Sequence, residues 1–211
     1  YFDSRYMNFS DLQTINDDRV QPGGHVPLHE HKNMEIFGYV VEGSCRHTDS
    51  QGRSHDVPAG AVQRMSCGKG IEHTEGNSTD KPNRYLQLWI RPNVFDTEPI
   101  HEWHQFTREN KLNKFCDITE KLPIKQDAKL LSGIFTNDFT YNINPNRKYY
   151  LYVISGELIV NNNNLTVDYG NYLYVNNANG VFDATKVIQV DFHTINVNSS
   201  IVTTNSATYN A

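Results

Sequence analysis

Two short, well-separated patterns, His29-Glu30-His31 and His73-Thr74-Glu75, each place two metal-ligand side chains at positions i and i+2. On a β-strand, residues i and i+2 point to the same face. Two such strands brought together aim three imidazoles and one carboxylate, from His29, His31, His73 and Glu75, at a single point. That donor set suits one divalent transition metal with coordination positions left open for chemistry. Iron, manganese, cobalt, nickel, copper or zinc would suit the ligands, which alone do not rank them, and iron is taken as the expected ion. Glu35 competes for the fourth position, because it lies four residues past His31 and an unbroken strand keeps it on the same face.

The elements that must position these residues read as strand and turn almost throughout. Val40–Gly43, Tyr85–Ile90, Tyr149–Ile154, Leu158–Val160 and Tyr172–Val175 are short and rich in aromatic and β-branched residues. Turn formers recur at Pro22-Gly23-Gly24, Asp49–Gly52, Pro58-Ala59-Gly60, Asn144-Pro145-Asn146 and Asn161–Asn164. Asp49–Gly52 predicts a hairpin turn. Many short strands at this spacing predict an all-β sandwich or barrel.

An internal echo suggests two such units. Tyr39-Val40-Val41-Glu42-Gly43 is followed 17 residues on by Gly60, and Tyr152-Val153-Ile154-Ser155-Gly156 is followed 14 residues on by Gly170. Pro92 and Pro99 break the end of the first copy. The expected division is 1–106 for a metal-binding unit and 107–211 for a degenerate one, whose only histidine in the repeat is His193.

Bulk properties narrow the classes. The chain has 211 residues, 37% hydrophobic and 20% charged, with a net charge of −5. No basic face is implied, so nucleic acid is not an expected direct ligand. No apolar run approaches the roughly 20 residues of a membrane span. Cys45, Cys67 and Cys116 are scattered and form no CxxC pair, which fits a reducing cytosol and predicts a cytoplasmic protein.

Gly23, His29, His31, Glu35 and Gly43 resemble the first motif of the cupin superfamily, and Gly52, Pro58 and Gly60 match the frame of the second. The usual histidine of that second motif is replaced by Gln63, and Gly70-Ile71-Glu72-His73-Thr74-Glu75 appears later instead. With Val62-Gln63-Arg64-Met65-Ser66 ahead of it, and with Tyr1-Phe2-Asp3 and Asn16–Val20 near the start, the chain resembles the pirin family of bicupins. The likeness is dense over residues 1–106 and afterwards rests on the repeat. It implies two tandem cupin barrels of the double-stranded β-helix or jelly-roll type, with one mononuclear metal in the first. It carries the ligand roles to His29, His31, His73 and Glu75. It also implies a quercetin 2,3-dioxygenase type of activity, in which O2 opens a flavonol; other pirins are regulators that act through protein partners.

The residues can support that chemistry. A flavonol offers a 3-hydroxyl and a 4-carbonyl to a metal, and metal binding lowers the hydroxyl pKa. Glu75 is the expected proton acceptor. A non-enzymatic metal-containing regulator and a carbonyl-polarising cupin isomerase are the alternatives. Gln63 is expected near the metal, Arg64 in a salt bridge, and His25 in a loop. His47, His55, His101 and His104 are expected to be structural or surface residues. Phe37, Tyr39, Tyr85 and Trp89 are expected chiefly in the barrel core.

Overall fold

The computed structural model describes residues 7–137, 141, 144, 147–155, 158–160, 163–165, 172–175 and 199–206. The chain divides into two compact units, the first made of Tyr1–Thr107 with Lys121–Gln126, the second of Arg108–Glu120 with Asp127–Ala211. Among the described residues, strands predominate and every pair of named strands is antiparallel. The all-β architecture is the one the strand and turn pattern predicts, and it is the two-domain cupin fold that the resemblance implies.

The first unit holds nine strands: β1 (Leu12–Val20), β2 (His25–His31), β3 (Glu35–Glu42), β4 (Ser44–Asp49), β5 (Ser54–Pro58), β6 (Ala61–Ser66), β7 (Ile71–Gly76), β8 (Asn83–Ile90) and β9 (Ile100–Gln105). They form one sheet in the order β1-β8-β3-β6-β9 and another in the order β2-β7-β4-β5. The hairpin predicted at Asp49–Gly52 joins β4 to β5, with the Gly52 N–H donating to the Asp49 carbonyl at 3.0 Å. Gly43 makes the corner between β3 and β4 at φ +73°, and a Cβ there would press on Asn83 at 3.0 Å, so a side chain is excluded twice over.

The interior of this unit has two apolar ends. Val40, Cys45, Val57, Ala61 and Tyr85 pack together at one, and Ile36, Met65, Cys67 and Ile71 pack at the other, with Trp89 against them. The opposite face of β3, β6 and β8 is buried as well, at Phe37, Tyr39, Arg64, Leu86 and Leu88. Burial on both faces is why these strands read as nearly continuous apolar runs rather than as a clean alternation. The segment Lys121–Gln126 supports this unit: the Pro123 carbonyl accepts from Arg64, and the Lys125 carbonyl accepts from the Asn93 N–H at 2.8 Å. Arg64 also pairs with Glu102 at 2.8 Å, the salt bridge expected of it.

In the second unit, α1 (Arg108–Lys111) and a 3-10 turn (Ile118–Glu120) flank β10 (Phe115–Asp117). β11 (Ala128–Phe135), β12 (Lys148–Val153), β15 (Tyr172–Val175) and β16 (Ser199–Ser206) complete a sheet ordered β10-β11-β16-β12-β15, and β13 (Leu158–Val160) pairs with β14 (Asn163–Leu165). The Gly156, Gly170 and His193 of the internal echo lie outside the described residues. No helix among the described residues is long and apolar enough to cross a membrane.

Candidate metal centre

Pairing register brings the two sequence patterns together. β2 and β7 are neighbours, with His29 opposite His73 and His31 opposite Ile71. Directly opposed residues in an antiparallel pair share a face. His29, His31 and His73 therefore point the same way, into the space between the two sheets. A bulge sits just before them: Val26 opposes Glu75, so β2 spends three residues where β7 spends two. The bulge contains Pro27, which has no N–H to give the ladder. Its carbonyl instead accepts from His29 Nδ1 at 2.7 Å, which fixes the Nδ1–H tautomer and leaves the Nε2 lone pair free.

The donor atoms of His29, His31 and His73 lie within 4.8 Å of one another. The rings cross, at 85° between His29 and His31, 48° between His29 and His73, and 53° between His31 and His73. His73 is buried, and neither of its ring nitrogens has a hydrogen-bond partner. An imidazole stranded in this way costs free energy unless something meets its lone pair. Burial pushes the His73 imidazole down to about 2, helped by the neighbouring rings of His29, His47, His31 and His101. Burial, then His29, pushes His31 down to about 4. Both are thus neutral near pH 7, the protonation state a metal ligand needs. The stranded nitrogens and the crossed neutral rings fit a divalent metal.

Glu75 sits on the same face of β7 as His73 and falls in a second group of donors, with His47 and His73, again within 4.8 Å of one another. It is fully enclosed. Gln63 Nε2 donates to one carboxylate oxygen at 2.6 Å and Gln87 Nε2 donates to the other. Burial raises its carboxyl to about 7 against the pull of those two donors. Glu35, the competitor, belongs to neither group. It is buried and accepts from the Ser66 hydroxyl at 2.5 Å, and burial raises its pKa, opposed first by that hydroxyl and then by Lys125.

His47 and His101, expected to be structural or surface residues, are both buried, and His47 lies within ligand reach of His73 and Glu75. Their rings stack in parallel, 3.7 Å apart and 2° from coplanar. His47 Nε2 meets Asp49 Oδ2 at 3.2 Å, and His101 Nε2 meets Gln63 Oε1 at 3.1 Å. His47-Thr48-Asp49 carries the same i, i+2 spacing as the two recognised patterns, which was the signal available in the sequence. Gln87 was also missed; its signal is one amide on the Tyr85–Trp89 face of an otherwise apolar strand. His55 flanks the stack at 5.6 Å from His101, while His25 and His104 are exposed. Phe37, Tyr39 and Tyr85 are core residues as expected, whereas Trp89 stands edge-on to His31 at 4.8 Å.

The chain is similar to known proteins. Residues 1–90 match the profile of the Pirin family, and residues 117–178 match that of the quercetinase C-terminal cupin domain. A quercetin 2,3-dioxygenase of Escherichia coli strain K12 is 36% identical over 168 residues, which cover 76% of this chain and 72% of that one. A pirin-like protein of Caulobacter vibrioides is 34% identical over 170 residues, covering 76% and 73%. A bacterial pirin from Escherichia coli, solved in complex with nickel(II), superposes with a TM-score of 0.82 at 26% identity, covering 98% of this chain and 87% of that chain. With sequence relatedness across most of both chains and the same two-domain architecture, this chain belongs to the pirin family.

Proposed function

We infer that the chain is a metal-dependent dioxygenase of the quercetin 2,3-dioxygenase type, acting on a flavonol with O2 at a mononuclear centre. His29, His31 and His73 would hold the metal, with Glu75 as the fourth ligand. The observation that carries this reading is the buried His73 imidazole, neutral and without a hydrogen-bond partner, crossed by two further imidazoles. The names of the most similar relatives support the substrate class. A divalent metal at this position supplies Lewis acidity that makes a flavonol 3-hydroxyl more acidic and a meeting place for the flavonol and O2.

The protein's own residues contribute orientation and a proton store. The Pro27 carbonyl accepts from His29 Nδ1 and so turns the His29 Nε2 toward the metal position. Trp89 braces the His31 ring edge. Glu75, held between the Gln63 and Gln87 amides beside the metal position, would accept the 3-hydroxyl proton and return it to product. The partial exposure of His29 and His31, against the burial of His73, opens the centre on the β2 side for a planar aromatic guest.

The test is direct. Protein loaded separately with Fe(II), Mn(II), Co(II), Ni(II) or Cu(II) is mixed with quercetin in air and under argon. The expected result is loss of the long-wavelength flavonol absorbance with matching O2 uptake, abolished by argon and by His73→Ala. Failure with every metal, in protein that demonstrably binds one, overturns the enzymatic reading in favour of a metal-containing regulator.

A further inference from the structure

The fourth ligand of the centre is held by an amide pair built across the facing sheet. β3 lies between β6 and β8, and Gly38 is opposite both Gln63 and Gln87. The row therefore reads Gln87, Gly38, Gln63, with no side chain in the middle. Both amides lean across that gap to Glu75, one on each oxygen. A Cβ on Gly38 would stand 2.7 Å from Gln63 Nε2 and 2.8 Å from its Cγ, so the space belongs to the glutamine.

The far ends of the amides are fixed too. In its ionised form, the one that ligates a metal, Glu75 only accepts, so each NH2 faces Glu75 and each amide oxygen faces away. Gln63 Oε1 then accepts from His101 Nε2–H at 3.1 Å, and Gln87 Oε1 accepts from Trp89 Nε1–H at 3.3 Å. His101 is itself clamped by its stack on His47. Each donor and acceptor in the chain from His101 through Gln63 and Glu75 to Gln87 and Trp89 is thus oriented by the next. One lone pair on each Glu75 oxygen is occupied, and the others remain for an ion.

We propose that Gln63 and Gln87 are positioning residues that fix the rotation of the Glu75 carboxylate for metal ligation, and that His101 acts through Gln63 in the same role. The proposal rests on the metal reading given above. It assigns the amides a task separate from packing: they determine how well Glu75 serves as a ligand, and have no effect once Glu75 can no longer ligate.

A double-mutant cycle separates the two, read as the Ni(II) dissociation constant by calorimetry on the full chain. Gln63→Met and Gln87→Met, which keep length and remove the donor, should each weaken Ni(II) binding by about tenfold, the low end for loss of an outer partner of a ligand. His101→Phe, which keeps a flat ring on His47 and removes the N–H, should weaken it severalfold. In a Glu75→Gln background none of the three should weaken it further. An equal loss with and without Glu75 overturns the proposal, and so does unchanged affinity in all three single variants.

The second readout uses metal-free protein. The 13C carboxyl resonance that disappears in Glu75→Gln should move in Gln63→Met, in Gln87→Met and in His101→Phe; an unmoved resonance in all three overturns the proposal even if Gln63→Met alone fails to fold. Wild-type protein that binds neither Ni(II) nor Co(II), with the resonance still moving, overturns the metal reading and retains only the amide hold on Glu75.

Discussion

Among the described residues the first unit holds two histidine-rich donor groups that share no residue, His29, His31 and His73 against His47, Asp49 and His101, with His73 and Asp49 opposite each other across β7 and β4. In the group of His29, His31 and His73 the rings are crossed, so lone pairs that lie in the ring planes can meet at one point. In the group of His47, Asp49 and His101 the two rings are parallel to within 2°, and their in-plane lone pairs run side by side. The commitments differ in degree. His73 has no partner on either nitrogen, whereas His47 and His101 each lack one on Nδ1 alone, and Asp49 accepts from Arg53 Nε at 2.7 Å, from His47, and from the Gln51 and Arg53 backbone N–H groups. Proximity of titratable groups alone does not make a metal site. Crossed rings and an unpartnered His73 are what favour the first group.

The sharpest way to break this contrast is to remove one ligand from each side. His73→Ala should weaken Ni(II) binding by more than about 100-fold, beyond the range for loss of an outer partner. His47→Phe should leave the stoichiometry at one ion per chain. Calorimetric titration reads both. Two ions in the wild type, or loss of the ion in His47→Phe with His73→Ala unaffected, would reverse the assignment of the two groups.

Stability should respond in the opposite sense. Asp49→Asn strips the ionic partner from Arg53 and a buried acceptor from His47, at a cost of about 2 kcal/mol. Denaturant unfolding of the metal-free protein measures it. His29→Ala removes a half-exposed ring whose only hydrogen bond is to a neighbouring carbonyl, and should cost well under half as much.

Acid distinguishes the groups less but tests a shared property. Burial lowers His73 to about 2 and His101 to about 3, in each case with neighbouring imidazoles adding to it. The unfolded chain takes up these protons near pH 6.5 and the folded chain does not. Stability is therefore complete above that pH and falls as pH drops towards the folded values. Each such histidine contributes up to about 1.4 kcal/mol per pH unit to the slope. His101→Phe should flatten the decline in metal-free protein between pH 6 and 4, and saturating Ni(II) should offset the His73 share without touching that of His101. An equally steep decline in His101→Phe would contradict the burial argument.

The contrast also shows what a sequence can carry. His29, His31, His73 and Glu75 were legible because a period of two is local: each pair fixes its own common face without knowledge of any partner strand. The all-β architecture was legible for a similar reason, since turn formers and β-branched runs are local signals. Gln63 was legible as a residue near the centre, but its pairing with Gln87 on Glu75 was not, because the two become neighbours only through the register of β6 and β8 on β3, set by contacts far apart in the chain. His101 needed the pairing of β9 with β6 as well, which puts it opposite Met65. His47 and Asp49 were within reach, because their spacing is the same as that of the recognised pairs.

The smallest expected effect comes from the one position where the two sheets communicate through an absent side chain. Gly38 does not need its freedom of φ; what it supplies is emptiness, since Gln63 fills the volume its Cβ would take. Gly38→Ala must push the Gln63 amide aside by several tenths of an ångström, at about 1 kcal/mol for a small overpacking. That displacement acts on Glu75 and leaves the crossed rings of β2 and β7 alone. Ni(II) affinity should therefore fall only two- to fivefold, on the order of 0.4–1 kcal/mol, while one ion still binds. The crossed rings predict that the effect vanishes in Glu75→Gln, because the three imidazoles never sense Gly38 directly. A Gly38→Ala variant that loses the ion altogether would mean that the imidazole group depends on the facing sheet for its geometry, and the independence of the two groups would have to be abandoned.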